Sequence, residues 1–88
     1  MDKYKALYNA LKTFYKVNPD LLSDLENYSI EETGRSLDDN LKLYAAKVAE
    51  SNDYKIIKQE IDYLNEEPHS ISEMEIMYEL IDNFAYID

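Results

Sequence analysis

The chain has 88 residues, a net charge of −10, one Gly, two Pro and no Cys. This length fits a single domain, residues 1–88, and the lack of Cys excludes disulfides, thiolate zinc sites and a cysteine nucleophile. The scarcity of turn residues argues against an all-β fold, and the acidity disfavours binding to nucleic acid or to an anionic membrane and favours a basic partner.

A first helix is predicted over about 2–17, because apolar and aromatic residues recur on one face at helical spacing. These residues are Tyr4, Leu7, Tyr8, Leu11, Phe14 and Tyr15. Asn18 can cap a second, short helix that Pro19 opens, predicted over about 19–28. Ser29 has capping-box spacing with Glu32, but Gly34 follows closely. Residues 29–35 are therefore predicted to form one turn and a loop.

A third helix is predicted over about 36–50, with Ser36 as its cap and Leu37, Leu41, Tyr44 and Val48 on its buried face. Residues 51–53 (Ser-Asn-Asp) compete for backbone hydrogen bonds, so a break is favoured over a bend. The fourth helix, about 53–66, is ended by Pro68. Its predicted buried face holds Tyr54, Ile57, Ile61 and Leu64.

A fifth helix is predicted over about 72–86, because Ser72 and Glu75 have capping-box spacing. Its main apolar face comprises Met74, Met77, Tyr78, Ile81 and Phe84, and Ile76, Leu80 and Ile87 widen it. A helix this apolar contacts two neighbours, or one neighbour and a partner. The predicted fold is all-α, a compact bundle of four to five helices.

Catalysis and metal binding find little support in the residues. His69 is the only His, and loop or cap roles explain it together with the nearby Ser70 and Ser72. Pro68 and the Ser72 cap place His69 outside the helix, and an Asp-rich calcium loop is absent. We therefore expect no enzyme activity, no metal and no cofactor.

One stripe of the fourth helix has a composition typical of an interface. Ile56, Glu60, Tyr63 and Glu67 lie opposite the predicted buried face, and such a mixture suits a surface that receives Arg or Lys. Glu75, Glu79 and Asp82 add acidic groups on the fifth helix. The alternatives are a solvated face with incidental apolar residues, or a contact with the second helix.

Two further features leave alternatives open. Lys5, Lys12 and Lys16 form a basic stripe on the first helix, which faces either the acidic helices of the same bundle or another copy of the chain. The surplus apolar residues of the fifth helix likewise allow a homodimer. No apolar run approaches the ~20 residues that span a bilayer, and no signal-peptide pattern is present, so a cytoplasmic location is expected.

A short segment, Gly34-Arg35-Ser36-Leu37-Asp38, resembles the loop of acyl carrier proteins. In that family Gly-x-Asp-Ser-Leu opens a helix and the Ser carries phosphopantetheine, which would implicate Ser36. Arg35 stands where the family has Asp, and the residues after Asp38 depart from the usual continuation. The alternative is that Ser36 is only a helix cap.

In size, acidity, helical content and the interleaving of acids with Tyr, the whole chain is similar to the small helical immunity proteins that bacteria make against their own nuclease toxins. No sequence motif carries this resemblance. It implies an inhibitor that binds a basic protein such as a nuclease toxin, with acidic side chains standing in for phosphates. Anti-CRISPR proteins and other phage inhibitors that mimic nucleic acid share the same profile.

Overall fold

Five helices make up the computed structural model: α1 (Lys3–Tyr15), α2 (Pro19–Thr33), α3 (Leu37–Ala49), α4 (Tyr54–Glu66) and α5 (Ile71–Phe84). The structure describes residues 2–16, 19–66 and 71–84, except for the side chains of 71–73, and contains no strand within those ranges. The radius of gyration is 12.2 Å, close to the ~12 Å expected of a compact chain of this length. The predicted all-α bundle is confirmed.

Helix α3 lies at the centre of the bundle and contacts the other four helices. Helix α1 packs on α3 and α4, and α2 packs on α3 and α5. The overall extents of 32 × 31 × 17 Å correspond to two layers of helices, since packed helix axes lie about 8–10 Å apart. Each helix contributes to one continuous core, whose fully buried side chains include Leu7, Leu11, Phe14, Ala45, Ile81 and Phe84.

Helix α2 continues to Thr33, so the predicted helix end at about residue 28 is wrong, and so is the predicted turn and loop of 29–35 as far as residue 33. Ser29 is not a cap but a fully buried residue within the helix. Its Oγ donates to the carbonyl oxygen of Arg35 over 3.0 Å and accepts from Nδ2 of Asn40 over 2.7 Å. Gly34 then ends α2 at a φ of 76°, a conformation that favours glycine, and its N–H donates to the carbonyl oxygen of Ile30.

The break between the third and fourth helices is confirmed. Helix α3 ends at Ala49 and α4 begins at Tyr54. In the turn between them, Oγ of Ser51 accepts a hydrogen bond from the N–H of Asp53 over 3.0 Å. The side chain therefore competes for backbone donors as the sequence indicated.

Helix α5 begins at Ile71, one residue before its predicted start. Ser72 was predicted to cap this helix, but it is the second residue within it, and its side chain is outside the described part of the structure. The predicted roles of Asn18 and Pro68 also fall on residues outside it.

Two polar side chains join α1 to the helices that pack around it. The buried hydroxyl of Tyr15 donates to the carbonyl oxygen of Met77 in α5 over 2.8 Å. Nδ2 of Asn65 in α4 donates to the carbonyl oxygen of Ala10 over 3.0 Å. Buried polar groups require such partners, so these two bonds restrict how α4 and α5 can sit against the rest of the bundle.

Candidate functional site

An apolar groove lies between α4 and α5, which both pack on α3 but have at most slight contact with each other. Its volume is about 630 Å³. Helix α3 contributes Tyr44, whose ring packs against that of Phe84 with 5.2 Å between centroids. The two flanking helices supply Ile56, Ile57, Gln59, Glu60, Ile61, Tyr63, Leu64, Ile76 and Leu80.

Two of the lining side chains are unusually exposed for their size. Ile56 is 60% exposed and Tyr63 is 62% exposed, more than any other large apolar side chain among the described residues. Apolar side chains grouped at a concave surface mark an interaction site more often than scattered ones do. Of the interface stripe predicted on the fourth helix, Ile56, Glu60 and Tyr63 line this groove, whereas Glu67 lies outside the described residues.

The charge of the groove comes from Glu60. Among the described residues that line it, Glu60 is acidic and none is Lys or Arg. Burial raises the pKa of the Tyr44 hydroxyl, and the negative charge of Glu60 raises it further. The carboxylate therefore acts on Tyr44, a second residue that lines the groove. By contrast, Lys58 of the same helix is engaged elsewhere, with its Nζ 2.6 Å from Oδ2 of Asp62.

The predicted acidic residues of α5 separate into two places. Glu75 and Glu79 are exposed, and Glu79 follows Ile76 by three residues, which makes the two neighbours on the helix surface. Glu79 is thus next to a residue that lines the groove, although it does not line the groove itself. Asp82 faces α2 instead, where its Oδ1 accepts a hydrogen bond from the hydroxyl of Tyr28. That bond raises the pKa of Tyr28 to about 12.

The surplus apolar residues predicted on the fifth helix belong to the same groove. Ile76 and Leu80 are half-buried and line it opposite the α4 stripe, while Ile87 lies outside the described residues. The interface stripe of α4 and the widened apolar face of α5 are therefore two sides of one surface.

Two of the three lysines in the basic stripe of α1 lie near acids of the same chain. Lys12 and Lys16 line a smaller cavity, of about 220 Å³, together with Glu26 of α2 and Asp38 of α3. Asp38 also accepts a hydrogen bond from the hydroxyl of Tyr8, and that bond, helped by the adjacent Lys42, lowers its pKa. For Lys12 and Lys16, this placement favours the interpretation in which the basic stripe faces its own bundle, whereas Lys5 is exposed.

Sequence reasoning did not anticipate the role of Arg35. Its Nε donates to Oδ1 of Asn40 over 2.8 Å, and its Nη2 donates to the carbonyl oxygen of Phe84 over 2.9 Å. The guanidinium thereby joins the α2–α3 junction to the last residue of α5. The spacing of residues in the sequence gives no sign that Arg35 pairs with Asn40. Asn40 does, however, stand among the apolar positions of α3, and a buried amide there requires partners.

Ser36 occupies the start of α3, where the carrier-like segment would place its modified serine. Its Oγ accepts a hydrogen bond from the N–H of Asp39 over 3.2 Å, which is the cap predicted from the sequence. Glu26 reinforces this helix start, because its Oε2 accepts from the N–H of Leu37 over 3.1 Å. Modification of Ser36 stays a prediction.

Within the described part of the chain, no group of three or more His, Asp or Glu side chains is placed to hold a metal ion. His69 lies outside that part. The helices that were described also include none with both the length and the apolar character needed to cross a bilayer.

Comparison of the chain with models of protein families, with characterised proteins and with solved structures finds no match.

Proposed function

We propose that this protein is an inhibitor that binds and neutralises a basic protein, and that a nuclease toxin is the class of partner that fits best. The observation that carries the proposal is the exposure of Ile56 and Tyr63 at an apolar groove whose charged lining residue is Glu60. Side chains of Arg and Lys combine an aliphatic stem with a cationic head. An apolar, aromatic and acidic surface can contact both parts.

Charge and apolar contact contribute to different steps of binding. The net charge of −10 attracts a basic partner over a distance and speeds association. Ile56 and Tyr63 then provide the buried contact that slows dissociation, and the Tyr63 ring offers a face on which an Arg guanidinium can stack. Glu60, Glu79 and the more distant Glu75 present carboxylates where a nuclease expects phosphates, whereas Asp82 faces α2 and is bonded to Tyr28.

The test begins with the full chain as bait in a lysate of its source at low salt, followed by identification of the bound protein. The captured protein is then purified and assayed on nucleic acid with and without the full chain. We expect a basic nuclease, inhibition at a one-to-one ratio, and association that slows as salt rises. An acidic partner, undiminished nuclease activity or an association rate independent of salt contradicts the proposal.

The identity of a captured nuclease separates the immunity protein from the phage-type inhibitor. A toxin encoded directly before this chain supports an immunity protein. An antiviral nuclease of a host cell supports an inhibitor that mimics nucleic acid.

A further inference from the structure

We infer that the groove between α4 and α5 receives an amphipathic helix of the basic partner, one whose apolar stripe is flanked by Lys or Arg. This inference rests on the proposed function and specifies where the partner binds and with which element. It commits to a segment of another protein rather than to a second copy of this chain.

The spacing of the lining residues suits a helix. Ile56, Glu60 and Tyr63 follow one another at i, i+4 and i+7 along α4, a span of about 10 Å. Ile76 and Leu80 repeat the i, i+4 spacing on α5. An amphipathic helix carries apolar side chains at the same intervals, so its stripe can lie along both walls. A bound strand would instead require a sheet edge, and the described residues form no sheet.

Charge distinguishes a basic helix from a second copy of the chain. Glu60 lies in the middle of the α4 stripe, Glu79 lies beside Ile76, and the described lining contains no base to balance them. In a two-fold dimer through the groove, the same acidic surface of each copy would face the other. Such a dimer would also join two chains that each have a net charge of −10. A helix with flanking Lys or Arg meets the same acids with opposite charge.

The test is an NMR titration of the full, ¹⁵N-labelled chain with three synthetic peptides. The first is a helix with a Leu stripe flanked by Lys and Arg, the second replaces those cations by Glu, and the third scrambles the first so that no stripe remains. We expect the first peptide to shift the amide signals of α4 and α5 around the groove, and the other two to bind at least tenfold more weakly.

A matched pair of variants separates groove binding from general attraction to an acidic protein. Ile56→Lys and Ile30→Lys change the net charge equally, and both positions are exposed, at 60% on α4 and 48% on α2. Both variants should therefore fold, which circular dichroism checks. We expect Ile56→Lys to raise the Kd of the first peptide by about tenfold or more, and Ile30→Lys to raise it far less.

Three results overturn the inference. The first is a set of shifts centred outside the groove, the second is equal binding by the two variants, and the third is equal binding of the Glu-flanked peptide. Sedimentation of the unliganded chain adds a fourth: a dimer that Leu80→Glu dissociates would show that a second copy fills the groove.

The experiments distinguish two errors: that the partner does not bind in the groove, and that the protein is not an inhibitor. If a captured nuclease is inhibited equally well by Ile56→Lys and by Ile30→Lys, the inhibitory function is supported, but binding of the partner in the groove is refuted. If the cationic peptide binds in the groove but the full chain inhibits no basic protein, the groove is supported as a site for a basic helix, and the inhibitory function is refuted.

Discussion

Ile56 of α4 and Leu80 of α5 line one groove, each from a helix that packs on α3. Ile56 is exposed because it lies on the outer side of α4, away from the buried Ile61. Leu80 is half-buried because it lies beside the core residues Met77 and Ile81. Ile56 therefore lies at the exposed rim of the groove, whereas Leu80 lies closer to its floor beside the core.

The fifth helix should be essential to stability. Ile81 is fully buried, so Ile81→Asp would place a charge without a partner in the core at a cost of several kcal/mol. That is a large part of the roughly 5–15 kcal/mol that stabilises an ordinary domain. We expect the variant to be largely unfolded in thermal melts followed by circular dichroism. Ile30→Asp, on the exposed side of α2, is the control, and parent-like melting of Ile81→Asp would refute the assignment of the core.

Arg35 should stabilise the fold through its bonds to Asn40 and to the carbonyl oxygen of Phe84. Hydrogen bonds from charged groups contribute about 1.5–3 kcal/mol each, and Arg35→Met would also leave the buried Asn40 short of a partner. We expect a loss of about 2 kcal/mol or more in urea unfolding. Lys5→Met, on an exposed position of α1, should change the free energy of unfolding by less than about 0.5 kcal/mol. Equal losses of stability in Arg35→Met and Lys5→Met would argue against the hydrogen bonds of Arg35.

Stability should fall at alkaline pH, in part because of Tyr28. Its hydrogen bond to Asp82 raises its pKa from 10.0 to about 12 in the folded chain. The folded state therefore retains this proton where the unfolded state has lost it, so the contribution is complete below pH 10 and is lost as pH rises through 12. Tyr28→Phe should flatten the decline in the free energy of unfolding over that window. An unchanged slope would show that the bond does not form in solution.

We expect Ser36 to carry no prosthetic group, because its role as the cap of α3 is enough to explain a serine at this position. The full chain, incubated with coenzyme A and a phosphopantetheinyl transferase, is expected to keep its mass, while a genuine acyl carrier protein treated in parallel gains the expected mass. A mass increase that Ser36→Ala abolishes would support the carrier alternative instead.

The sequence predicted an all-α bundle of four to five helices and most of their buried faces, because periodicity and capping are local properties. It failed over residues 29–33, where the burial of Ser29 depends on Asn40 and Arg35, and a tertiary contact outweighed the local preference of Ser for a cap.

The candidate site was predictable only in parts. The stripe of Ile56, Glu60 and Tyr63 could be read from α4 alone, and the excess of apolar residues could be read from α5 alone. The stripe of α4 and the apolar face of α5 line one groove only because of how both helices pack on α3. The pairing of Asp82 with Tyr28 depends likewise on the contact between α2 and α5.

The most direct test of the central claim is the affinity of the captured basic partner for three forms of the full chain: wild type, Ile56→Lys and Ile30→Lys. The variants differ from the wild type by the same charge, so only the position of the lysine separates them. We expect the Kd of Ile56→Lys to rise by about tenfold or more, because the lysine would place a cation at a wall of the groove, whereas Ile30→Lys should remain close to the wild type. Equal affinities of the two variants would contradict the claim that the partner binds between α4 and α5.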